Sequence, residues 1–62
     1  MKPDWNNAPD WANFLAMDLD GEWYWFALKP KVAESVWEPC GGACVFAGGF
    51  KQDWQNSLEA RP

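Results

Sequence analysis

The sequence predicts an α+β domain, a three-stranded antiparallel sheet with one or two short helices packed on it. Three observations lead there. Glu22 to Leu28 sets four aromatic rings in seven residues, and such rings fit a pleated, half-buried surface. Turn-forming clusters at Asp18-Leu19-Asp20-Gly21, Cys40-Gly41-Gly42 and Gly48-Gly49 divide the rest into strand-length pieces. Trp11, Phe14 and Leu15 fall at helical spacing behind Asn7, Pro9 and Asp10, which suit a cap and a first turn.

Along Glu22–Leu28, alternation puts Glu22, Tyr24, Phe26 and Leu28 on one side and Trp23, Trp25 and Ala27 on the other. Both sides are largely apolar. A strand of this kind needs cover on two faces, so it is read as the central strand. Residues 1–17 are read as a lead-in and a helix of about two turns, too short to stand alone and therefore laid on the sheet. After Pro30, Lys31-Val32-Ala33 is a connector. Glu34 to Glu38 is the second strand, closed by Pro39, and Ala43 to Ala47 is the third. The tail, Asp53 to Ala60, is either a short helix capped by Asp53 or an extended arm. Asp-Trp-x-Asn occurs at Asp4, Asp10 and Asp53 with irregular spacing. That is no solenoid repeat. It reads as an aspartate that starts a turn and a tryptophan that drops onto the sheet.

Sixty-two residues make one domain. A chain this short buries only about 60% of the surface its unfolded form exposes. Six tryptophans and four phenylalanines are the compensation, since each large aromatic buries roughly 150–250 Å². The net charge is −4 and there is no histidine. Lys2, Lys29, Lys31, Lys51 and Arg61 are scattered, so no basic stripe tracks a phosphate backbone, and direct nucleic-acid binding is not expected. No apolar run approaches the ~20 residues of a membrane helix. Met1-Lys2-Pro3-Asp4 lacks the layout of a signal peptide. The expected setting is the cytoplasm.

Enzyme chemistry finds little support. A general base histidine and an activated serine or cysteine are both missing, and so small a fold has little room for a deep pocket. Cys40 and Cys44 would be half of a four-ligand zinc site, completed only by a second copy. They are read as free thiols, one exposed and one buried, flanking a turn. Asp18-Leu19-Asp20-Gly21-Glu22 opens like a calcium loop but runs straight into Trp23-Tyr24-Trp25, so it is read as a plain turn. No metal or cofactor is expected.

The tryptophans carry the functional expectation. Six exceed what one small core can hide, and tryptophan is prominent among binding hot spots. Trp5, Trp37 and Trp54 lie outside the densest segment and are the interface candidates. Asp18, Asp20 and Glu22 would add electrostatic steering. The partner would be another protein, with self-association as the variant in which that protein is a second copy.

The chain also resembles a loose group of short, mostly uncharacterised proteins of tailed phages and prophages. The resemblance rests on Trp5-Asn6-Asn7-Ala8-Pro9, then Asp20-Gly21-Glu22-Trp23-Tyr24-Trp25, then Lys29-Pro30, then Trp54 to Pro62, the pattern W-x-x-S-L-x-x-R-P. It covers most of the chain with short motifs. Where many members carry a glycine directly after the Ala-Pro or one residue later, this chain has Asp10-Trp11. The group brings no catalytic or ligand-binding residue with it. It implies a setting, the host cytoplasm, and a role by analogy. Small phage accessory proteins often bind and block a host protein, as anti-CRISPR and other anti-defence proteins do. Others sequester a nucleotide signal, as an oligomeric sponge would, or serve in the virion and its assembly.

Overall fold

The structure, a computed structural model, describes residues 2–49 and 53–62. Lys51 lies outside them. The described residues form six strands and two single 3-10 turns: β1 Phe14–Met17, β2 Glu22–Phe26, β3 Lys31–Val32, β4 Trp37–Glu38, β5 Cys44–Gly49 and β6 Glu59–Ala60, with the turns at Trp5–Asn7 and Trp54–Asn56. The α+β expectation is therefore corrected. The described residues contain no α-helix, and the strands form a four-stranded antiparallel sheet, ordered β5-β2-β1-β6, plus a separate β3-β4 pair.

Each departure has a local cause. The helix expected across Trp11, Phe14 and Leu15 is a turn closed by Ala12 N–H to the Pro9 carbonyl, followed by β1. Phe14-Leu15-Ala16-Met17 is a continuous apolar run, and a strand buried on both faces takes such a run as readily as a helix does. The expected second strand shortens to Trp37–Glu38, because Ala33 N–H closes a turn onto the Val36 carbonyl. The tail is neither of its expected forms throughout. Asp53 precedes one 3-10 turn, and the chain then pairs as β6 along β1.

The β1-β2 hairpin sets the centre. Its turn is closed by Asp18 N–H to the Glu22 carbonyl and Gly21 N–H to the Asp18 carbonyl. Gly21 takes φ 90°, the left-handed position that a three-residue hairpin loop requires. Register then places Leu15 beside Trp25 and Met17 beside Trp23 on one face, and Phe14 beside Phe26 and Ala16 beside Tyr24 on the other.

Two cores result, one on each face of the sheet. Ala12, Leu15, Met17, Trp23 and Trp25 form the first, covered by Trp5, Ala8, Ala47 and Trp54. Ala16, Phe26 and Trp37 form the second, flanked by Phe14, Tyr24, Trp54 and Leu58. The N-terminal lead thus covers one face, and the β3-β4 arm, through Trp37, covers the other. Trp54 packs at the margin of both. Opposite Trp23 and Tyr24, β5 carries a bulge that leaves Ala47 unmatched. Gly48 follows at φ 152°, a conformation L side chains rarely adopt.

Candidate functional site

Asp18, Asp20 and Glu22 are brought together at the β1-β2 turn. The Asp20 carboxylate accepts the Glu22 N–H at 3.0 Å, and the Glu22 carboxylate accepts the Tyr24 hydroxyl at 3.2 Å. Asp18 reaches across to the second sheet, where its Oδ1 accepts the Trp37 N–H at 2.8 Å. Leu19 N–H donates to the Ser35 carbonyl beside it. Burial, first, and then the charges of Asp20 and Glu22 hold the Asp18 carboxyl above its ordinary range, against the Trp37 hydrogen bond. The three carboxylates therefore concentrate negative potential on one side of the molecule. The Tyr24 hydroxyl is raised by burial and by Glu22 in the same way.

Where this turn meets the loop between β3 and β4, the surface is concave. An open groove of about 360 Å³ is lined by Leu19, Asp20, Ser35 and Val36. Leu19 is 51% exposed and Val36 42%. The groove thus offers two aliphatic side chains to solvent beside the acidic turn, and Glu34 adds a further exposed carboxylate at its loop. Among the described residues, no group of three His, Cys, Asp or Glu side chains could hold a metal ion.

The tryptophan candidates lie elsewhere. Trp37 is 8% exposed and donates its Nε1–H to the Trp54 carbonyl at 3.1 Å, so its ring belongs to the second core. Trp54 is half-buried between the two cores. Trp5 is half-buried over Trp25, their ring centres 4.9 Å apart. These three indoles are not gathered into one patch with the acidic turn. Trp11 is the exposed tryptophan. Among the described residues, the other large exposed apolar side chains are Leu19, Leu28, Val32, Val36, Val45 and Phe46, which the count of indoles does not single out. Val36 could have been found as an apolar residue in a polar loop; Leu19 is masked by its turn, and Phe46 reads as core until β5 is known to be an edge.

Trp5 has a structural task. Its Nε1–H donates to Glu59 Oε1 at 2.6 Å, while Lys2 Nζ pairs with Glu59 Oε2 at 2.6 Å. The Arg61 guanidinium stacks 5.6 Å from the Trp5 ring centre and donates to the Pro9 and Ala12 carbonyls. The two ends of the chain, W-x-x-A-P and R-P, are thus one clasp that holds the lead over the first core. Burial alone would raise the Glu59 carboxyl. The Lys2 and Trp5 hydrogen bonds and the Lys2 charge outweigh it, and the group sits below its ordinary value of 4.5. A lowered folded-state value means stability present above the unfolded value and lost as pH falls through the folded one. Glu59→Gln should therefore unfold at a lower temperature than the parent at pH 7. That gap should close as the pH is taken down through the carboxylate range, in thermal melts at low salt.

Cys40 and Cys44 are free and both exposed, which corrects the expectation that one of them is buried. Cys40 and Gly41 take φ 57° and 88° in a turn closed by Gly42 N–H to the Pro39 carbonyl, which fits the sequence reading of a turn. Burial, and then the Asp18 charge, hold the Cys44 thiol above its ordinary value, so little of it is the reactive thiolate at neutral pH.

Comparison with known proteins found no matching family model, no matching curated protein and no matching solved structure. Function is accordingly to be read from the geometry of the acidic turn and the groove beside it.

Proposed function

We propose that this chain is a non-catalytic binding module that engages another protein at the groove between Leu19 and Val36. By the resemblance of its motifs, it would be a phage-encoded factor and its partner a protein of the host. One observation carries the reading: half-exposed aliphatic side chains line a concavity together with Asp20, with Asp18 and Glu22 in the same turn. An apolar surface with a charged rim is the usual build of a recognition site. The partner segment has matching chemistry, an apolar side chain flanked by lysine or arginine. It places the apolar group between Leu19 and Val36 and its cations by Asp18, Asp20 and Glu22. The charges steer the encounter and the aliphatic contact holds it. The same carboxylates weigh against a phosphate-bearing ligand here, since both are anions.

The test is capture from host lysate on immobilised protein, followed by binding kinetics with what is captured. A protein retained by the parent should be lost by Leu19→Ser with Val36→Ser. Asp20→Asn with Glu22→Gln should slow its association roughly tenfold at low salt and much less at high salt, as screened charges require. Both variants alter exposed positions and should keep the parent's unfolding temperature within a few degrees. Capture of nothing above background, or capture indifferent to the groove variants, would refute the reading.

A further inference from the structure

The N-terminal lead covers the first core without joining the sheet. None of residues 2–11 is buried, whereas the cluster beneath them is. The backbone hydrogen bonds of the lead stay within it: Asn7 N–H to the Asp4 carbonyl, Ala8 N–H to the Trp5 carbonyl, and Ala12 N–H to the Pro9 carbonyl. Bonding to a strand begins with Asn13 N–H to the Phe26 carbonyl. Among the described residues, no backbone–backbone bond ties 2–11 to the sheet.

Side chains hold the lead instead. Trp5 rests on the Trp25 ring and Ala8 on the same cluster, and a side chain at Gly48 on β5 would touch Pro3. The polar anchors come from two residues at the other end of the chain. Glu59 accepts from the Lys2 ammonium and the Trp5 indole N–H, and Arg61 donates to the Pro9 and Ala12 carbonyls. Segments with few buried contacts and no ladder bonds open at a lower free energy than the whole domain.

We propose that residues 2–11 are a strap that lifts off the first core as one piece while the four-stranded sheet stays paired, with Glu59 as its latch and Ala12-Asn13 as its hinge. Closed, it hides the Trp25 ring, which is 4% exposed. Open, it uncovers that ring on an intact sheet. A proton works the latch. Glu59 faces Lys2 and Trp5 from the lead and the apolar Leu15 from β1, with Arg61 two residues on. The Lys2–Glu59 pair is partly exposed, so solvent reaches it. Neutralising Glu59 ends its attraction to Lys2 and leaves the Trp5 contact an ordinary hydrogen bond, roughly half as strong as the charge-assisted one.

The two faces respond to acid in opposite senses. The Glu59 carboxyl sits below its ordinary 4.5, so its support is present above that value and lost as pH falls through the lowered one. Asp18, which bonds the Trp37 N–H over the second core, is raised. Its contribution is present at low pH and lost as pH rises through the raised value. Acid therefore withdraws support from the cover of the first face and not, through Asp18, from that of the second.

Solvent paramagnetic relaxation tests this on the full chain, with a neutral gadolinium chelate as the probe and tryptophan ring protons as the readout. Taking the pH from about 6 to about 3 crosses the carboxylate range. The relaxation of the Trp25 ring should rise severalfold over that interval. The Trp37 ring and the amides of the β1-β2 ladder should change little, and far-UV circular dichroism should keep its folded form. Glu59→Gln should show the raised Trp25 relaxation already at about pH 6, with most of the pH dependence gone. A Trp25 ring that stays covered in acid or in Glu59→Gln would overturn the proposal. So would one that becomes accessible only together with the Trp37 ring and the ladder amides. Glu59→Gln leaves Leu19, Val36 and the acidic turn unaltered, so this outcome is separable from the groove reading.

Discussion

Trp23→Ala should strip the domain of most of its stability. Trp23 is fully buried and is the largest of the fully buried side chains. It pairs with Met17 on β1 and with Gly48 across the bulge on β5, so its ring sits where three strands meet. Removing a buried aromatic costs about 3–5 kcal/mol, because lost transfer energy adds to the cavity left behind. A domain of this length holds only about 3–9 kcal/mol in total, on the usual scale of 0.05–0.15 kcal/mol per residue. The loss spreads, since Trp23 shares one buried cluster with Ala12, Leu15, Met17 and Trp25. Urea titration followed by far-UV circular dichroism should show a midpoint far below the parent's for Trp23→Ala. Trp23→Phe, which keeps a ring, should fall between the two. Trp11→Ala should cost about 1 kcal/mol or less, because Trp11 is exposed on its turn. A folded Trp23→Ala protein with the parent's midpoint would mean that the first core does not hold this sheet together.

The legible parts of the fold are those fixed by neighbours in sequence. Glu22 to Phe26 is strand because its aromatic residues occupy both alternating sets, and the demand for cover on both faces is met by Trp5 on one side and Trp37 on the other. Asp18 to Gly21 and Cys40 to Gly42 are turns because their residues tolerate or require left-handed backbone. Two of the three Asp-Trp-x-Asn segments do what the pattern suggests: Asp4 accepts the Asn6 N–H at the first 3-10 turn, Asp53 precedes the second, and Trp5 and Trp54 both rest on the sheet. β1 was illegible for a physical reason. Trp11, Phe14 and Leu15 have helical spacing only if Trp11 is inside, and it is outside. The Asp-Gly turn directly after Met17 is the better signal, because it joins strand to strand. β6 could not be read locally at all. Glu59 and Ala60 become a strand through contacts with Lys2, Trp5 and β1 that are remote in sequence. At the candidate site, Asp18, Asp20 and Glu22 were readable as a group because they are adjacent. Counting indoles misplaced the apolar surface, since most of the indole is consumed in covering a two-faced sheet, and the exposed aliphatic residues border the places where that cover ends.

Ser57→Ala should be the most damaging change of a single polar atom, costing about 1–3 kcal/mol. Along β1, Phe14 pairs with Ala60 and Leu15 with Glu59. Continued two residues further, the same register would set Met17 against residue 57, but there the chain has already turned away through Trp54–Asn56. The Ser57 side chain takes over from the missing backbone. Its Oγ accepts the Met17 N–H at 2.7 Å and donates to the Trp54 carbonyl at 2.6 Å, with the Met17 carbonyl 3.2 Å away. Ser57 and Met17 are both buried, so water cannot replace the hydroxyl, and alanine would leave the Met17 N–H without a partner in an apolar surround. For a chain of 60–100 residues each kcal/mol moves the melting temperature by about 4–8 °C. Ser57→Ala should accordingly melt many degrees lower, while Gln55→Ala, at an exposed position in the same 3-10 turn, should melt with the parent. Hydrogen exchange adds a local readout. The Met17 amide should lose protection in Ser57→Ala by more than the drop in global stability explains, and the Tyr24 amide, which the β1-β2 ladder still pairs with Ala16, should lose only the global share. Equal loss at both amides would show that the serine merely fills space, and that the ladder at Met17 is closed by something other than its hydroxyl.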